Sequence, residues 1–452
     1  MGTPRVIPHG RIDITEAVRR DALPLTGDPH DYDSLLDRVG NARLVLLGEA
    51  SHGTHEFYRE RARITKRLIE ERGFAAVAIE GDWPDAYRVN RFVRGAGSDL
   101  DAEESLRGFR RFPTWMWRNA DVLDFVGWVR AHNDGLPSAS QVGFFGLDLY
   151  SLGASMDAVI GYLDEHDPAA AARARRRYEC LQPYSGESTE YGRAVLLGVS
   201  TSCRRHVFEQ LVDLRRRAAD YTRPDGTGAE DEYFSAEQNA VLVGDAEEYY
   251  RTMLGDAATS WNLRDRHMAD TLDHLVAHLD RHDGAGRVVV WEHNSHIGDA
   301  RATEMGQRGE LNIGQMMRER HPRDVVLVGF TTHTGTVTAA PAWGAPAERM
   351  HVIPAMDGSY EAIFHGVGIP AFLLCPLADG RSAPALRQPR LERAIGVIYR
   401  PQTERQSHWF ATDITGQFDA LVHIDVTRAV EPLERGRGWD LDEPPETYPS
   451  AL

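Results

Sequence analysis

The chain has 452 residues, a length typical of two or three domains or of one large domain with an insertion. Apolar residues make up 42% and charged residues 26% of the sequence, which excludes disorder as the dominant state. The 51 basic and 68 acidic residues give a net charge of −17, which disfavours nucleic acid or an anionic membrane as the main partner. No apolar run reaches the roughly 20 residues of a membrane helix, and the amino terminus lacks the apolar core of a signal peptide. We therefore expect a cytoplasmic protein without a membrane or nucleic-acid partner.

The cysteines and the lysine exclude several classes of site. Cys180, Cys203 and Cys375 are scattered and odd in number, so we expect neither a disulfide framework nor a CxxC metal-binding knuckle. Lys66 is the only lysine, and the phosphate-binding pattern GxxxxGK[ST] is absent. ATPases of that type are therefore excluded, and a Schiff-base enzyme would have to use Lys66.

Short apolar runs that alternate with helical patterns dominate both ends of the chain. Residues 43–48 and 75–80 are such runs, and an amphipathic pattern over 56–71 separates them. Strand–helix alternation of this kind is typical of a parallel sheet covered by helices. Similar runs lie at 142–148, 287–292, 324–329, 371–375 and 421–425.

Residues 151–284 have a different texture, rich in Ala, Arg, Glu and Leu and poor in strand-like runs. The sequence therefore predicts a three-layer α/β fold with a mostly parallel central sheet flanked by helices. Residues 1–150 and 285–452 supply the two halves of the core, and 151–284 form a large all-α insertion over the carboxyl edge of the sheet. The tail after Pro432 is predicted to be a surface extension.

Carboxylates and imidazoles follow the predicted strands at the points where these strands end. They are Glu49 and His52, then Glu80, then Asp148, and finally His293 and His296. Ligands of open parallel sheets bind at this carboxyl edge. Each residue has a structural alternative, such as a helix cap, a salt bridge or a core histidine, and for Asp148 the two readings are evenly balanced. Because buried charge costs several kcal/mol unless it is paired or used, the set as a whole predicts an active site.

The absence of three catalytic and cofactor-binding motifs limits the reactions that we expect of this site. The serine-hydrolase pattern GxSxG, the dinucleotide-binding pattern GxGxxG and the zinc-protease pattern HExxH are all absent. Two chemistries remain open for a Glu and His set without a nucleophile. A histidine oriented by a carboxylate can activate water directly, or Glu and His can hold a divalent metal that acidifies bound water.

Five motifs, which follow one another in a fixed order along the chain, together resemble those of a known protein family. They are Gly48-Glu-Ala-Ser-His-Gly53, Glu80-Gly-Asp82, the stretch from Trp261 to Ala269, Trp291-Glu-His-Asn-Ser-His296 and Asp357-Gly-Ser-Tyr-Glu361. Together they resemble the erythromycin esterase family over nearly the whole chain. The resemblance implies a three-layer α/β core with a helical region, and hydrolysis of a macrolide lactone by activated water without an acyl-enzyme.

The resemblance also implies roles for individual residues. His52 would be the general base, with Glu49, Glu80 and His293 as its companions and His296 beside them. Arg61, on the first helix of the core, comes from the resemblance alone and would pair with a carboxylate or stabilise an oxyanion. We expect no cofactor and no metal.

The expected partner is a bulky, apolar small molecule. The aromatic residues available for the walls of its cleft are Trp83, Trp115, Trp117, Tyr150, His408 and Trp409. The sequence carries no signal for the oligomeric state.

Three other functions stay open. The same site could serve a cyclase or eliminase of natural-product biosynthesis. A broader resemblance to metal-dependent and haem-binding proteins keeps a divalent-metal-dependent hydrolase open. A non-catalytic protein that sequesters a ligand is the third, although a binder has no need for several perturbed titratable groups.

Overall fold

A computed structural model of the chain describes residues 14–186, 188–222, 227–255, 257–283 and 286–434. The amino-terminal segment, where no signal peptide is expected, lies mostly outside these ranges. The tail after Pro432 also lies almost entirely outside them, so its prediction as a surface extension stays a prediction.

Most of the described strands form one sheet. The strands are β1 (Leu23–Pro24), β2 (Leu44–Leu47), β3 (Ala76–Asp82), β4 (Gly143–Asp148), β5 (Val288–Trp291), β6 (Val325–Ala339), β7 (Glu348–Val352), β8 (Ala371–Leu374), β9 (Arg390–Arg393), β10 (Trp409–Thr412) and β11 (Ala420–Thr427). The order in the nine-stranded sheet is β1-β8-β11-β6-β2-β5-β3-β4, and β7 pairs with β6. All pairs from β11 across to β4 are parallel, whereas β1, β7 and β8 pair antiparallel.

Helices precede, connect and cover these strands. In the first half of the chain they are α1 (Ile14–Asp21), α2 (Asp33–Val39), α3 (His55–Arg72), α4 (Trp83–Val93), α5 (Ala102–Ser105) and α6 (Ala120–Asn133). The central block contains α7 (Leu152–His166), α8 (Pro168–Tyr178), α9 (Ser188–Leu196), α10 (Arg204–Arg216), α11 (Ala218–Tyr221), α12 (Thr227–Thr252) and α13 (Ala257–Asp283). After it come α14 (Asn294–Ile297), α15 (Glu304–Gln307), α16 (Ile313–Arg320), α17 (Tyr360–Gly366), α18 (Ala383–Leu386), α19 (Glu404–Ser407) and α20 (Ile414–Gln417).

The sheet separates two hydrophobic cores, which makes the molecule three-layered. Along β2, Leu44 and Leu46 face one core, whereas Val45 and Leu47 face the other. A strand that is buried on both faces has no polar positions to alternate with, which is why its sequence is a continuous apolar run. The predicted fold class is confirmed, and the strands predicted at 43–48, 75–80 and 287–292 are neighbours in one sheet.

The central helical block forms much of one outer layer. No strand occurs between 152 and 283 in the part of this block that the structure describes. Its apolar side chains share a core with one face of the sheet, and α12 packs against α4, α7 and α13. The last helix of the block, α13, packs on β4 and thereby carries its amino-terminal half to the carboxyl edge of the sheet.

The structure differs from the sequence prediction in two features. It adds the strands β1, β7, β9 and β10, whose short or largely polar sequences give no apolar run. It also joins Cys180 and Cys203 in a disulfide, so the expectation drawn from the scattered cysteines is wrong for this pair. Their separation in sequence does not indicate this contact, because Cys180, two residues after the end of α8, and Cys203, directly before α10, meet in space.

Among the described residues, none of the helices combines the length with the apolar composition that a membrane span requires.

Candidate active site

A tightly packed loop carries the Gly48–Gly53 motif from β2 to α3. A Cβ on Gly48 would lie 2.1 Å from Oδ1 of Asn294, and a Cβ on Gly53 would lie 1.9 Å from the Thr338 carbonyl oxygen. Both glycines therefore allow neighbouring chain segments to approach the loop closely. This packing fixes the backbone from which Glu49 and His52 project.

Glu49 and Arg61 lie behind the cleft and form a buried chain of hydrogen bonds that ends at His52. The His52 Nδ1 lies 2.8 Å from Oε1 of Glu49, and the Arg61 guanidinium donates to the other Glu49 oxygen at 2.6 Å. A carboxylate can only accept, so Nδ1 of His52 carries the proton and Nε2 of the neutral ring is the free base. Arg61 also lies over the rings of Tyr58 and Trp291.

Glu80, at the end of β3, faces the free side of His52. Its Oε1 lies 3.9 Å from His52 Nε2 and 3.5 Å from His296 Nε2. Burial opposes ionisation, but the charges of His296, His52 and Arg264 outweigh it and hold the pKa of Glu80 well below its usual range. Burial also opposes protonation of His52, yet Glu80 and Glu49 raise the pKa of its imidazole above the usual value.

The surroundings of His293 lower the pKa of its ring, whereas those of His52 raise it. Its backbone N–H donates to Glu80 Oε2 at 2.9 Å, and its ring centroid lies 4.9 Å from that of His52. The Ser295 N–H donates to His293 Nδ1 at 3.2 Å, and the Ser295 Oγ lies 2.8 Å from the same atom. Burial and the neighbouring His52 lower the pKa of His293 to about 3, so the ring is neutral and carries its proton on Nε2.

Arg264, on α13, joins the helical block to the strand ends. It donates to both oxygens of Asp148 at 2.9 and 2.7 Å and to Oε1 of Glu80 at 2.8 Å. A further N–H of Arg264 lies 3.0 Å from His296 Nε2, while Nδ1 of His296 lies 2.9 Å from Asp265. His296 thus lies between Arg264 and Asp265, and the Trp261 ring stacks on the His296 ring with the two centroids 4.5 Å apart.

These groups line a cleft of about 390 Å³ at the carboxyl edge, within the usual range for small-molecule sites. Its lining comprises His52, Glu80, Gly81, Asp82, Asp85, Phe109, Arg111, Phe112, Pro113, Met116, Trp117, Asp148, Tyr150, Trp261, Arg264, His293, Ser295, His296, Met305, Trp343, Ala394, Gly396 and Val397. One end is polar and titratable, and much of the remaining wall is aromatic.

The structure brings most of the predicted site residues to this cleft. His52, Glu80, His293 and His296 line it, while Glu49 and Arg61 are fully buried behind it. Arg61 thus pairs with a carboxylate and does not reach the space where an oxyanion would form. The next acidic and imidazole side chains after this loop, at the start of α3, have partners outside the cleft, since His55 pairs with Asp121 and Glu56 with Arg428.

The predicted aromatic walls need correction. Trp117 and Tyr150 line the cleft, but Trp83, Trp115, His408 and Trp409 do not. Trp83 is buried and its indole N–H donates to Ser235 in the helical block. The walls come instead from Phe109, Phe112, Trp261 and Trp343.

Arg264 is a site residue that the sequence alone did not predict. It lies inside the motif from Trp261 to Ala269, and the clustering of Trp, Arg, Asp and His in that helix was the available signal.

The donor set does not match a metal centre. Across the described ranges, no group of three or more His, Cys, Asp or Glu side chains is arranged to hold a metal ion. The Arg264 guanidinium already bridges Glu80 and Asp148 and supplies positive charge between them. A divalent cation at the same place would meet this fixed cation at short range.

Comparisons with known proteins agree with this picture. The sequence model of the erythromycin esterase family matches residues 69–427. A relative, erythromycin esterase type II of Escherichia coli, is 21% identical over 354 residues, covering 75% of this chain and 82% of its own length.

Solved structures share the fold. A protein from Bacillus cereus superposes with a TM-score of 0.74 at 21% identity, covering 93% of this chain and 98% of its own. A mutant of the erythromycin esterase EreC in its open conformation gives a TM-score of 0.64 at 18% identity, covering 88% and 94% of the two chains.

Proposed function

Since this chain belongs to the erythromycin esterase family, we propose that it hydrolyses a carboxylic ester by general-base activation of water. The proposed substrate is a macrolide lactone or a related ester in a bulky, apolar natural product. One observation supports the mechanism above the others: His52 has its Nδ1–H bound to Glu49, and its free Nε2 faces Glu80 across 3.9 Å.

The nucleophilic water is proposed to lie in the cleft beside His52 Nε2 and Glu80 Oε1, within hydrogen-bond reach of both. The two atoms are 3.9 Å apart, which is too far for a direct hydrogen bond, and one water to the side of them can contact both. As the water attacks the ester carbonyl, its proton passes to His52 Nε2. Glu49, which accepts from Nδ1 of His52, stabilises the resulting imidazolium, and Arg61 keeps Glu49 in place.

The opposite wall supplies donors for the developing oxyanion. The neutral His293 presents an N–H at Nε2, and Arg264 adds a fixed positive charge. Donors that are already oriented stabilise charge that appears only in the transition state. Collapse of the tetrahedral intermediate breaks the bond to the alkoxide, which takes the proton back from His52. The products are a carboxylic acid and an alcohol, joined in one chain if the substrate is a lactone.

Mass spectrometry tests the reaction class. We would incubate the purified protein with a panel of macrolides and simpler lactones and esters, and record the product masses. Opening of a lactone with a gain in mass of one water supports the proposal. Unchanged or isomeric masses across the panel would contradict hydrolysis and favour a ligand-binding protein or a cyclase.

A further inference from the structure

The motif at residues 357–361 has no part in the proposed reaction. The structure describes all of its residues, and none of them lines the cleft. Its last two residues begin helix α17, and one of them, Glu361, is fully buried. Because a buried carboxyl group is costly unless it has partners, the contacts of Glu361 indicate what the motif does.

Tyr360, the residue before Glu361, holds one end of a two-stranded ribbon formed by β9 and β10. Its hydroxyl group accepts from the backbone N–H of Ile414, just after β10, at 3.3 Å. Three carbonyl oxygens lie 2.9–3.0 Å from the same hydroxyl group, those of Leu386, Gln388 and Thr412. The motif is therefore attached to the chain where it enters and where it leaves the ribbon.

Glu361 contacts the other end of the ribbon. Its Oε1 accepts from the backbone N–H of Arg393, the last residue of β9, at 2.8 Å. The N–H that donates to His408, just before β10, is that of the next residue, Ala394. A buried backbone N–H needs an acceptor, and Glu361 supplies the one that a third strand would otherwise provide.

The side chain of Arg393 anchors the same residue to the sheet. Its guanidinium donates to three carbonyl oxygens at 2.7–3.3 Å, those of Thr332, His333 and Ile353. Arg393 is thus held at its side chain by the main sheet and at its backbone by Glu361.

The chain runs directly from Arg393 to the loop between β2 and α3, which carries the proposed base. The Ile395 N–H donates to the Ala50 carbonyl oxygen at 2.8 Å, and the Ile395 carbonyl oxygen accepts from the His52 N–H at 3.3 Å. Ile395 and Ser51 therefore pair as neighbours in a parallel sheet do. The residues around Ile395 that line the cleft are Ala394, Gly396 and Val397.

A second residue of the ribbon reaches the same loop. Glu392 Oε1 accepts from Asn294 Nδ2 at 3.1 Å, and the backbone N–H of Asn294 donates to the Glu49 carbonyl oxygen at 2.9 Å. Burial and the charge of Glu361 raise the pKa of Glu392 well above its usual range, so this contact is a hydrogen bond to a neutral carboxyl group. The ribbon thus supports the backbone of both Glu49 and His52.

Arg393 lies between the two residues through which the ribbon reaches this loop. A displacement there moves the base relative to the carboxylate that orients it, and a misplacement of about 1 Å can cost on the order of 10²-fold in rate. Resting on the proposed function, in which His52 is the base, we propose that Glu361 is a positioning residue. By holding the Arg393 N–H it fixes the ribbon, and the ribbon keeps His52 in contact with Glu49.

Titration of His52 tests this without depending on hydrolysis. The charged and titratable groups around its ring are Glu49 on the same loop, Glu80 after β3, His293 after β5 and Arg264 on α13. In Glu361→Met the Arg393 N–H loses its acceptor, so His52 should move away from Glu49 and its midpoint should fall by about 1 pH unit. The ring signal is followed by NMR in the full-length protein and is assigned by its absence from His52→Asn.

Glu361→Gln is the conservative variant of the same position. Its amide oxygen still accepts from the Arg393 N–H, so the midpoint of His52 should stay at the wild-type value. Ester hydrolysis should show the same difference between the variants. In Glu361→Met, kcat should fall about tenfold with a smaller change in KM, and Glu361→Gln should restore it.

Glu247→Met controls for the loss of a buried carboxyl group as such. Glu247 is fully buried in α12, where it accepts from Tyr191 and Ser202 in the helical block. This variant should leave the midpoint of His52 and kcat unchanged.

The guanidinium contacts of Arg393 remain in Glu361→Met, so we expect this variant to fold. If it does not, Tyr360→Phe decides, because it removes only the hydroxyl group that holds the ribbon and should lower the same midpoint. A wild-type midpoint in the folded variant, or an equal fall in Glu361→Gln or Glu247→Met, would overturn the inference.

The two proposals fail separately. An unmoved His52 midpoint in an active esterase would overturn the positioning role alone. A lowered midpoint in a protein that hydrolyses no ester would support the positioning role and contradict the proposed reaction.

Discussion

His52 is the residue whose charge state decides whether the proposed reaction runs. Its imidazole lies between Glu49, which accepts the Nδ1 proton, and Glu80, which faces Nε2. Two carboxylates favour the protonated ring, and their combined effect exceeds the opposing effect of burial on the pKa of His52. The neutral His52 is therefore a stronger base than an ordinary histidine. The protonated ring cannot accept a proton from water until it has lost the proton on Nε2.

This balance predicts a shifted pH profile. Because the neutral form of His52 is the base, kcat/KM should rise with pH around a midpoint above about 6.5, the usual pKa of histidine. Glu80→Gln removes a carboxylate that raises this pKa, so the residual activity should rise around a lower pH. Glu56→Gln, whose side chain pairs with Arg428 outside the cleft, should keep the wild-type midpoint. An unmoved midpoint in Glu80→Gln would show that another group titrates.

Arg264 is a second residue with a specific expected role. Its planar guanidinium contacts both oxygens of Asp148, Glu80 and His296 at once, a pattern that the single ammonium of lysine cannot reproduce. Arg264→Lys should therefore lower kcat/KM by about 10²-fold. Arg266→Lys, at an exposed position of the same helix, should change it little. Equal activity of the two variants would remove Arg264 from the mechanism.

At the scale of elements, the strands were the most predictable part of the fold. The central strands β2 and β5 lie between two layers of helices, so their sequences are apolar at every position and are easily identified. β7, with the sequence Glu-Arg-Met-His-Val, and β9, with Arg-Leu-Glu-Arg, are largely polar and short. They form through pairing with β6 and β10, which are partners that no local pattern specifies.

Arg61 of α3 forms a buried ion pair with Glu49, and the contribution of this pair to the stability of the protein can be measured. Arg61 and Glu49 are both fully buried, so Arg61→Met leaves a carboxylate in the interior without its cation. We expect the free energy of unfolding to fall by about 3–5 kcal/mol in denaturant titrations.

Arg59 offers a control on the same helix. Its side chain is 46% exposed and pairs with Glu60, so Arg59→Met should cost no more than about 1 kcal/mol. Similar losses in both variants would mean that the Arg61–Glu49 pair is not a special element of the fold.

At the scale of the whole molecule, the site is assembled from segments far apart in the chain. The loop after β2, the ends of β3 and β4, the turn after β5 and helix α13 all contribute. The strand-end residues could be predicted, because the carboxyl ends of parallel strands share one edge. Arg264 and the aromatic residues Phe109, Phe112 and Trp343 could not be predicted, because their positions depend on how the helical block and the loops pack against that edge.

The same assembly predicts how the protein responds to chelators. Arg264 supplies positive charge between Glu80 and Asp148, where a metal-dependent hydrolase would need its ion. Exhaustive treatment with EDTA should therefore leave the rate of ester hydrolysis largely intact. Activity that vanishes with the chelator and returns with a stoichiometric divalent ion would favour the metal-dependent reading.

The most direct measurement compares ester hydrolysis by the wild type with that by His52→Asn and His55→Asn, after confirming that each variant is folded. His55 lies three residues away and pairs with Asp121 outside the cleft, so its replacement should leave the rate nearly unchanged. The His52→Asn variant should lose a factor on the order of 10²–10⁴ in kcat, as expected on removal of a general base. Full activity of His52→Asn would contradict the assignment and move the base to another residue, with His293 the next to test.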